Sequence, residues 1–207
     1  MADNASQLNH RIAGRVRELR AEQGLSLDSL ARKSGVSRSM LSLIERGESS
    51  PTAVVLERLA GGLGVALASL FDAPTAVVKT PGGPVSRRKD QPEWEDPASG
   101  YVRRNVSPSG VTQPMQIVEV SFPAGARVAF ETAPRPARVY QQIWVLDGTM
   151  DITVGRERHR LGDGDCLAME LDQPVLFHNP TRKPARYVVV VASEGRSRGK
   201  SSAVGTN

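Results

Sequence analysis

Residues that build disulfides, metal centres and membrane spans are scarce in this sequence. Its 207 residues include one cysteine, Cys166, and three histidines. A single cysteine excludes an internal disulfide framework and is typical of a reducing compartment. Apolar runs stay well short of the roughly 20 residues that a bilayer-spanning helix needs. The polar start, MADNASQLNHR, lacks the apolar segment of a signal peptide, so we expect a cytoplasmic protein without a membrane partner.

Charge alone does not identify a partner. The chain carries a net charge of +5 at pH 7, which suits an anionic partner and equally suits simple solubility. Residues 1–72 carry nine basic and eight acidic side chains. The net charge of this segment is therefore too small to indicate DNA binding by itself. The length is sufficient for one or two domains with a real core, and the function must be sought in the motifs.

The spacing of apolar residues changes near residue 73, which indicates two domains. Before this point apolar residues recur at steps of three and four, the spacing that places them on one face of a helix. Ser26, Ser37 and Thr52 occupy positions where they can cap three of these helices. The pattern predicts a compact α-domain of five short helices over residues 1–72, the fifth from Leu67 to Phe71. Glycines, which favour a left-handed conformation, stand near the helix ends: Gly24, Gly35, Gly47 and Gly64.

After residue 100 the apolar period falls to two, as in strands that bury one face. Eight short segments with this pattern follow one another: YVRRNV, MQIVEVSF, RVAFE, YQQIWVLD, TMDITV, DCLAME, PVLFHN and ARYVVVVAS. They predict an antiparallel barrel or sandwich over residues 77–194, in which Asp147-Gly148 signals a hairpin and Cys166 lies in the core. Residues 73–100 are predicted to supply a linker and the first barrel strand, and residues 195–207 a disordered tail.

The stretch from Leu25 to Pro51, LSLDSLARKSGVSRSMLSLIERGESSP, predicts two helices around a tight SGVS turn. On the second helix, Met40, Leu41 and Ile44 are expected to face the core. A short helix whose other face is polar and basic can enter the major groove and reach base edges. Backbone amides at its start, and at the start of the preceding helix at Leu27, can bind a phosphate. The residues of the polar face are Arg38, Ser39, Ser42 and Arg46.

These residues resemble the helix-turn-helix domain of the xenobiotic-response-element family, which is related to the phage lambda repressor. The resemblance runs from about Ile12 to Phe71 and includes RELR in the first helix, GVS in the turn and LSLIERG in the recognition helix. It implies a DNA-binding domain, and an ion pair between Arg20 of the first helix and Glu45 of the recognition helix. The base contacts that it implies are at Ser37, Arg38 and Ser39.

The same resemblance implies further contacts around the recognition helix. Ser42 and Arg46 occupy positions suited to phosphate groups. Leu43 stands where relatives often carry a polar base-contacting residue, so here it can meet only a thymine methyl. Leu27 replaces a glutamine that braces a phosphate in many relatives, which weakens one expected contact without affecting the fold.

The β half resembles the cupin superfamily, and specifically the small cupin domain fused behind helix-turn-helix domains in bacterial regulators. The resemblance covers roughly Val77 to Ser193 and is carried by QQIWVLDGTMDITVG, GDGDCLAMELDQPVLFHN and PARYVVV. It implies a double-stranded β-helix barrel. The expected fold is therefore a two-domain α + β protein, with a lambda-repressor-like DNA-binding domain in front of an all-β barrel.

Metal-binding cupins hold their ion with three histidines and a glutamate, ligands that suit iron, manganese, nickel or zinc. The resemblance places the glutamate seven residues before Gly148, where this chain has Gln141. It places a histidine eleven residues after Gly164 and four before Asn179, where this chain has Val175, and no His-x-His pair occurs. We therefore expect no metal, no cofactor and no catalytic residue, unlike the iron enzymes of this architecture, such as an epoxidase of phosphonate biosynthesis.

A barrel without a metal has two remaining uses, a small-molecule effector site or a filled core that serves dimerisation. Gln141 is the strongest single candidate for an effector contact, because it stands where the family's pocket carboxylate stands. The other polar candidates are Glu131, Arg127 and Arg138, and the candidate walls are Ile143, Val145, Val175 and Phe177.

The resulting hypothesis is a transcription regulator that binds a double-stranded DNA operator as a homodimer. Such operators present two half-sites about one helical turn apart, which requires two copies of the helical domain. Binding of a small-molecule effector in the barrel would change how the two copies are spaced. Three alternatives stay open: a helix-turn-helix module without a DNA target, a metal-independent enzyme, and a structural dimerisation barrel without a ligand.

Overall fold

The computed structural model describes residues 2–72, 83–108, 114–131 and 138–193. In this part of the chain helices precede strands, as the change in apolar spacing predicts. The helices are α1 (Ala2–Glu22), α2 (Leu27–Ser34), α3 (Arg38–Glu45), α4 (Ala53–Leu63) and 3₁₀ helices at Leu67–Phe71 and Arg88–Asp90. The strands are β1 (Glu93–Glu95), β2 (Val102–Asn105), β3 (Met115–Phe122), β4 (Arg127–Phe130), β5 (Val139–Asp147), β6 (Met150–Val154), β7 (Glu157–Leu161), β8 (Cys166–Glu170), β9 (Val175–His178) and β10 (Ala185–Ser193). The predicted tail at 195–207, and the part of the predicted linker at 73–82, lie outside the described residues.

Local sequence signals determine where the helices begin and end. The side chains of Ser26, Ser37 and Thr52 each accept a hydrogen bond from the backbone N–H three residues further on, so all three predicted caps are confirmed. Gly35 and Gly64 close α2 and α4 in the left-handed conformation, at φ 67° and 68°. The fifth predicted helix exists as a 3₁₀ helix rather than an α-helix.

The described strands form two antiparallel sheets, in the orders β1-β2-β3-β10-β5-β8 and β4-β9-β6-β7. Because β5 and β6 belong to different sheets, Asp147-Gly148 connects the two sheets and the predicted hairpin at this point is wrong. The chain turns there with Gly148 at φ 90°, and a Cβ would lie 3.0 Å from the Cα of Ala185. The turn therefore requires glycine for close approach to β10, not for a hairpin.

All eight predicted strand segments are confirmed, and two further strands, β1 and β7, lie outside these eight segments. β7 has the sequence ERHRL, whose polar residues give no alternation to recognise, and it is held by pairing with β6. β1 is only three residues long and centres on the buried Trp94. The larger sheet thus begins inside the segment predicted to contain the first barrel strand.

Aromatic side chains are few, and most of them join the helical half to the barrel. The chain has four Phe, three Tyr and two Trp. Seven of these rings form a continuous series in which successive centroids lie 5.5 to 6.2 Å apart. The series starts in the 3₁₀ helix at Leu67–Phe71 and ends in the smaller sheet. The helical half and the barrel therefore share one core. Its members are Phe71, Trp94, Tyr101, Phe122, Tyr187, Phe177 and Phe130.

Polar contacts at the start and in the middle of α4 also connect it to the barrel. The backbone N–H of Ala53, at the start of the helix, donates to the buried carboxylate of Asp96 over 2.9 Å. One turn later the Nη2 of Arg58 lies 2.8 Å from Oε2 of Glu131. The helical half therefore rests on the barrel at defined points.

Met40 and Cys166 were predicted to lie in the core, but both side chains are exposed. In each case the prediction assigned the residue to the wrong face of its helix or strand. Met40 on α3 is 38% exposed to solvent, because the buried face of that helix is formed by Leu41 and Ile44. Cys166 is exposed because it pairs with Trp144 on the outer face of the larger sheet. Its neighbour Leu167 and, two residues later, Met169 are the residues of β8 that pack against the core.

Candidate functional site

The first candidate site is the outer face of α3. Ser37, Arg38 and Ser39, predicted to contact bases, are all exposed at the start of this helix. The Oγ atoms of Ser37 and Ser39 lie 3.2 Å apart. Leu43 and Ser42 follow on the same helix and are half-buried. The predicted face is thus a continuous accessible surface on one short helix.

A partly buried ion pair holds α3 against α1. Nε and Nη2 of Arg20 lie 2.6 and 2.8 Å from the two carboxylate oxygens of Glu45, which confirms the predicted pair. Nη1 of Arg20 also donates to the backbone carbonyl of Leu25, at 2.9 Å. Arg17 donates to the backbone carbonyl of Glu45 as well. The hydrogen bond that Arg20 donates to the Glu45 carboxylate raises the pKa of Arg20, and two arginines of α1 thus hold the end of α3.

The starts of α2 and α3 lie side by side. Nε of Arg38 is 3.1 Å from Oδ1 of Asp28, and both side chains are about two-thirds exposed. This exposed pair is weak, so Arg38 can exchange Asp28 for another acceptor at little cost. Leu27, which replaces the glutamine of many relatives, precedes Asp28 and packs half-buried against the core.

At the other end of the face, Arg46 is exposed and surrounded by polar partners. Its Nε and Nη2 lie 2.9 and 2.8 Å from the carboxylate of Glu48, and Nη1 donates to Oγ of Ser42. The two residues predicted to bind phosphate, Ser42 and Arg46, are therefore brought together. For Arg46 to bind a phosphate, its ion pair with Glu48 must first break. Because both side chains are exposed, breaking this pair costs little free energy.

The second candidate site is a cavity of about 70 Å³ at the junction of the helices and the barrel. The cavity has room for several water molecules or a small ligand. Its helical wall consists of Glu57 on α4 and of the residues at 66–68. Its barrel wall includes five rings of the aromatic series. The lining residues from the barrel are Tyr101, Arg103, Val120, Phe122, Val128, Phe130, Glu131, Gln141, Leu171, Gln173, Val175, Phe177, Tyr187, Val189 and Val191.

The structure brings four of the predicted effector residues together in this cavity and leaves four outside its lining. Those that line it are Gln141, Glu131, Val175 and Phe177. Ile143 and Val145 are fully buried in the core. Arg127 is exposed on β4, and Arg138 is exposed with its Nε 3.6 Å from Glu170.

The cavity residues do not fit a divalent metal ion. Gln141 and Val175 both line the cavity at the positions where cupin ligands are expected, and neither supplies a charged donor. Arg103 places a cation in the same wall, which opposes a second cation. His178 lies on the outer face, its Nδ1 3.8 Å from Oδ2 of Asp151. Within residues 2–72, 83–108, 114–131 and 138–193, no three His, Cys, Asp or Glu side chains converge as a metal requires.

Sequence reasoning missed the most polar part of the cavity, which is Arg103 with Tyr101 and Tyr187. Arg103 faces inward on β2 and is 6% exposed. Burial lowers the pKa of Arg103, while nearby Glu57 favours its charged form. Burial also raises the pKa of Tyr101 and of Tyr187, so both phenols stay neutral donors. In YVRRNV, no signal distinguishes Arg103 from the equally buried Arg104, because only the register decides which one faces the cavity.

Comparisons with known proteins agree with the division of the chain into a helical half and a β half. The helix-turn-helix family model matches residues 16–70, and the cupin domain family model matches residues 119–191. The chain is 28% identical over 165 residues to the HTH-type transcriptional regulator SutR of Escherichia coli, covering 79% of this chain and 84% of that protein. It is 40% identical over 65 residues to the uncharacterized HTH-type transcriptional regulator y4dJ of Sinorhizobium fredii, covering 31% of this chain and 80% of that protein.

A solved structure extends the similarity to nearly the whole chain. The crystal structure of an HTH_3 family transcriptional regulator from Vibrio cholerae has a TM-score of 0.72 and 26% sequence identity. It covers 92% of this chain and 99% of that one, so both halves and their arrangement are shared. In the part of the chain that the structure describes, no helix is both long and apolar enough to cross a membrane.

Proposed function

Because this chain belongs to the family of HTH-type transcriptional regulators and carries a cupin domain behind its helices, we propose that it binds operator DNA as a homodimer and senses a small molecule in its barrel. The observation that carries the proposal is the exposed polar face of α3, held in place from behind by Arg20 and Glu45. A helix presented in this way can enter the major groove with its first turn against the base edges.

The proposed contacts divide into two kinds. Ser37, Arg38 and Ser39 read bases at the start of the helix, where Arg38 can bind guanine through two hydrogen bonds. Ser42 and Arg46 bind phosphate, which positions the helix without reading sequence. Leu43 lies beyond the base-reading turn and contacts a thymine methyl. The backbone amides at Leu27 approach a phosphate without the glutamine that relatives use.

The base contacts are tested by selecting bound duplexes from a random pool and then titrating the selected duplex at fixed salt. Arg38→Ala should weaken binding by about 1 to 3 kcal/mol and relax base preference at one position. Arg46→Ala should weaken all duplexes alike and reduce the salt slope by about one. Arg156→Ala, which removes an exposed arginine from the turn between β6 and β7, is the matched control. Unchanged affinity and preference in Arg38→Ala would remove that residue from the interface.

A second copy of the chain is the proposed partner for the outer face of the larger sheet. Trp144 is 50% exposed on this face, and its register neighbours are Val188 on β10 and Cys166 on β8. A large half-exposed indole in an apolar row is typical of an association surface. The paired helical domains then meet two operator half-sites.

Light scattering after size exclusion tests the dimer. Trp144→Arg should shift the protein to a monomer and lower operator affinity, because each half-site is then bound independently. Val85→Arg introduces the same charge at an apolar residue that is 58% exposed in the segment before β1, and should leave the dimer intact. A monomeric wild-type protein would contradict the proposed homodimer, and a dimeric Trp144→Arg variant would assign the interface elsewhere.

We propose that the barrel regulates rather than catalyses, and does so without a metal. The cavity residues support this, since Gln141 and Val175 occupy the expected ligand positions. Metal analysis of the purified protein should find no stoichiometric transition metal, and chelator treatment should leave operator binding unchanged. Loss of DNA binding after chelation would contradict the proposal.

A further inference from the structure

Arg103 is the feature of the cavity that packing does not explain. It lies on β2 with Val120 and Trp94 as register neighbours, and its side chain lines the cavity. Its Nε and Nη2 are buried and donate no hydrogen bond to any residue that the structure describes. A buried guanidinium donor without an acceptor costs about 1 to 3 kcal/mol or more, so a partner for these groups is expected.

The two unpartnered nitrogens form one edge of the guanidinium group. This is the edge that binds a carboxylate through two parallel hydrogen bonds. The protein uses the same edge twice elsewhere: Arg20 binds Glu45 with 2.6 and 2.8 Å bonds, and Arg46 binds Glu48 with 2.9 and 2.8 Å bonds. In Arg103 the edge has the same chemistry and no such carboxylate hydrogen-bonded to it.

The surroundings of Arg103 keep its edge oriented and limit the size of the ligand. The guanidinium carbon lies 5.0 Å from the centre of the Phe71 ring, so one flat face is covered and the edge is left for hydrogen bonds. The remaining walls are mostly aliphatic and aromatic, and the cavity of about 70 Å³ admits only a few heavy atoms. A ligand that fits has one planar anionic group and a short apolar body.

We propose that Arg103 binds the carboxylate of a small organic acid, whose apolar part rests on the aromatic wall formed by residues such as Tyr101 and Tyr187. This assignment rests on the proposed sensing function, for which it names the class of effector. The ligand lies against α4 through Glu57 and against the 3₁₀ helix through Leu67. The acid therefore contacts the helical half directly and can change its position on the barrel.

Trp94 provides the readout for binding. The chain has two tryptophans, and Trp144→Phe leaves Trp94 as the single tryptophan, whose emission is followed. Its ring is 5.5 Å from Phe71, the ring that Arg103 covers. Acetate, propionate and butyrate are titrated at constant ionic strength, each beside its own amide, which has the same shape without the charge. At least one acid should change the fluorescence saturably, and its amide should not.

Variants then locate the anion. Arg103→Met should weaken binding of that acid about ten- to a hundredfold, the expected effect of losing charge-assisted hydrogen bonds. Arg127→Met removes an exposed barrel arginine outside the cavity and should leave binding unchanged. Glu57→Gln removes a negative charge from the cavity wall and should strengthen binding, which supplies an independent test if Arg103→Met does not fold.

Three outcomes would overturn the assignment. Equal binding of acid and amide would exclude recognition of the charge. Equal loss in Arg127→Met and Arg103→Met would indicate a general surface effect. Saturation by sulfate or phosphate with no response to any of the three acids would exclude the carboxylate class. An acid that binds through Arg103 without changing operator affinity would leave the site in place and contradict only the proposed sensing function.

Discussion

The ion pair between Arg20 and Glu45 offers the sharpest test of how the recognition helix is held. We consider Glu45→Gln, which keeps the size of the side chain and removes its charge. The Glu45 side chain is 7% exposed and that of Arg20 19%, so water replaces little of the lost interaction. In the variant, one oxygen can still accept from Arg20, while the amide nitrogen faces an N–H donor of the guanidinium.

The structure sets the size of the effect. Removing one partner of a fully buried pair costs about 3 to 5 kcal/mol. Arg20 keeps some access to water and a second acceptor at the Leu25 carbonyl, so we expect a smaller loss of about 2 to 3 kcal/mol. For a chain of this length that corresponds to a fall in Tm of about 5 to 10 °C. Operator affinity should also fall, since α3 loses its attachment to α1.

A double-mutant cycle in urea, followed by far-UV circular dichroism, measures the coupling. Glu45→Gln and Arg20→Met should each destabilise the helical half, and the double variant should lose less than the sum of the two. The exposed pair of Arg46 and Glu48 has the same two-bond geometry, so Glu48→Gln is a matched control that should have little effect. If Glu45→Gln and Glu48→Gln changed stability equally, burial would not be what makes the Arg20 pair important.

Three further predictions follow from local contacts. Ser37→Ala should lower the free energy of unfolding by about 1 kcal/mol in urea titrations, because the Met40 N–H loses its cap, and full stability would show that the cap is dispensable. Gly62→Ala should destabilise the protein in the same assay despite the better helix propensity of alanine, since its Cβ would lie 2.8 Å from the Cβ of Ser34; a more stable variant would refute the tight packing of α2 on α4. Cys166, beside Trp144 on the proposed dimer face, should react with a thiol reagent as fast in the native Trp144→Arg monomer as in urea and more slowly in the wild-type dimer; equal rates in both native proteins would place it outside the interface.

The sequence predicts features that depend on neighbours along the chain. The capping serines and threonine act over three residues, so their position is visible in the sequence itself. The Arg20 and Glu45 pair was predicted from the resemblance, because two helices of known arrangement bring them together. The eight alternating segments likewise became strands, since alternation records which face is buried.

Errors arose where a residue's surroundings are decided by distant strands. Asp147-Gly148 has the sequence of a hairpin turn, yet β5 pairs with β8 and β10, and β6 pairs with β7 and β9. Cys166 stands between apolar neighbours, but the pairing of β8 with β5 puts it opposite Trp144 on the outer face. A shift of one residue in register would reverse such assignments, and nothing local sets that register.

The same reasoning explains why Arg103 was not recognised as a site residue. Its neighbour Arg104 forms an ion pair with Glu119 and lies opposite it on β3, while Arg103 lies opposite Val120, which faces the core. Two adjacent arginines thus take opposite faces of one strand, and only the inward one meets the helical half through Phe71. A ligand at Arg103 therefore lies between the barrel and the segment that ends the DNA-binding domain, which is where a change in occupancy can alter how that domain is held.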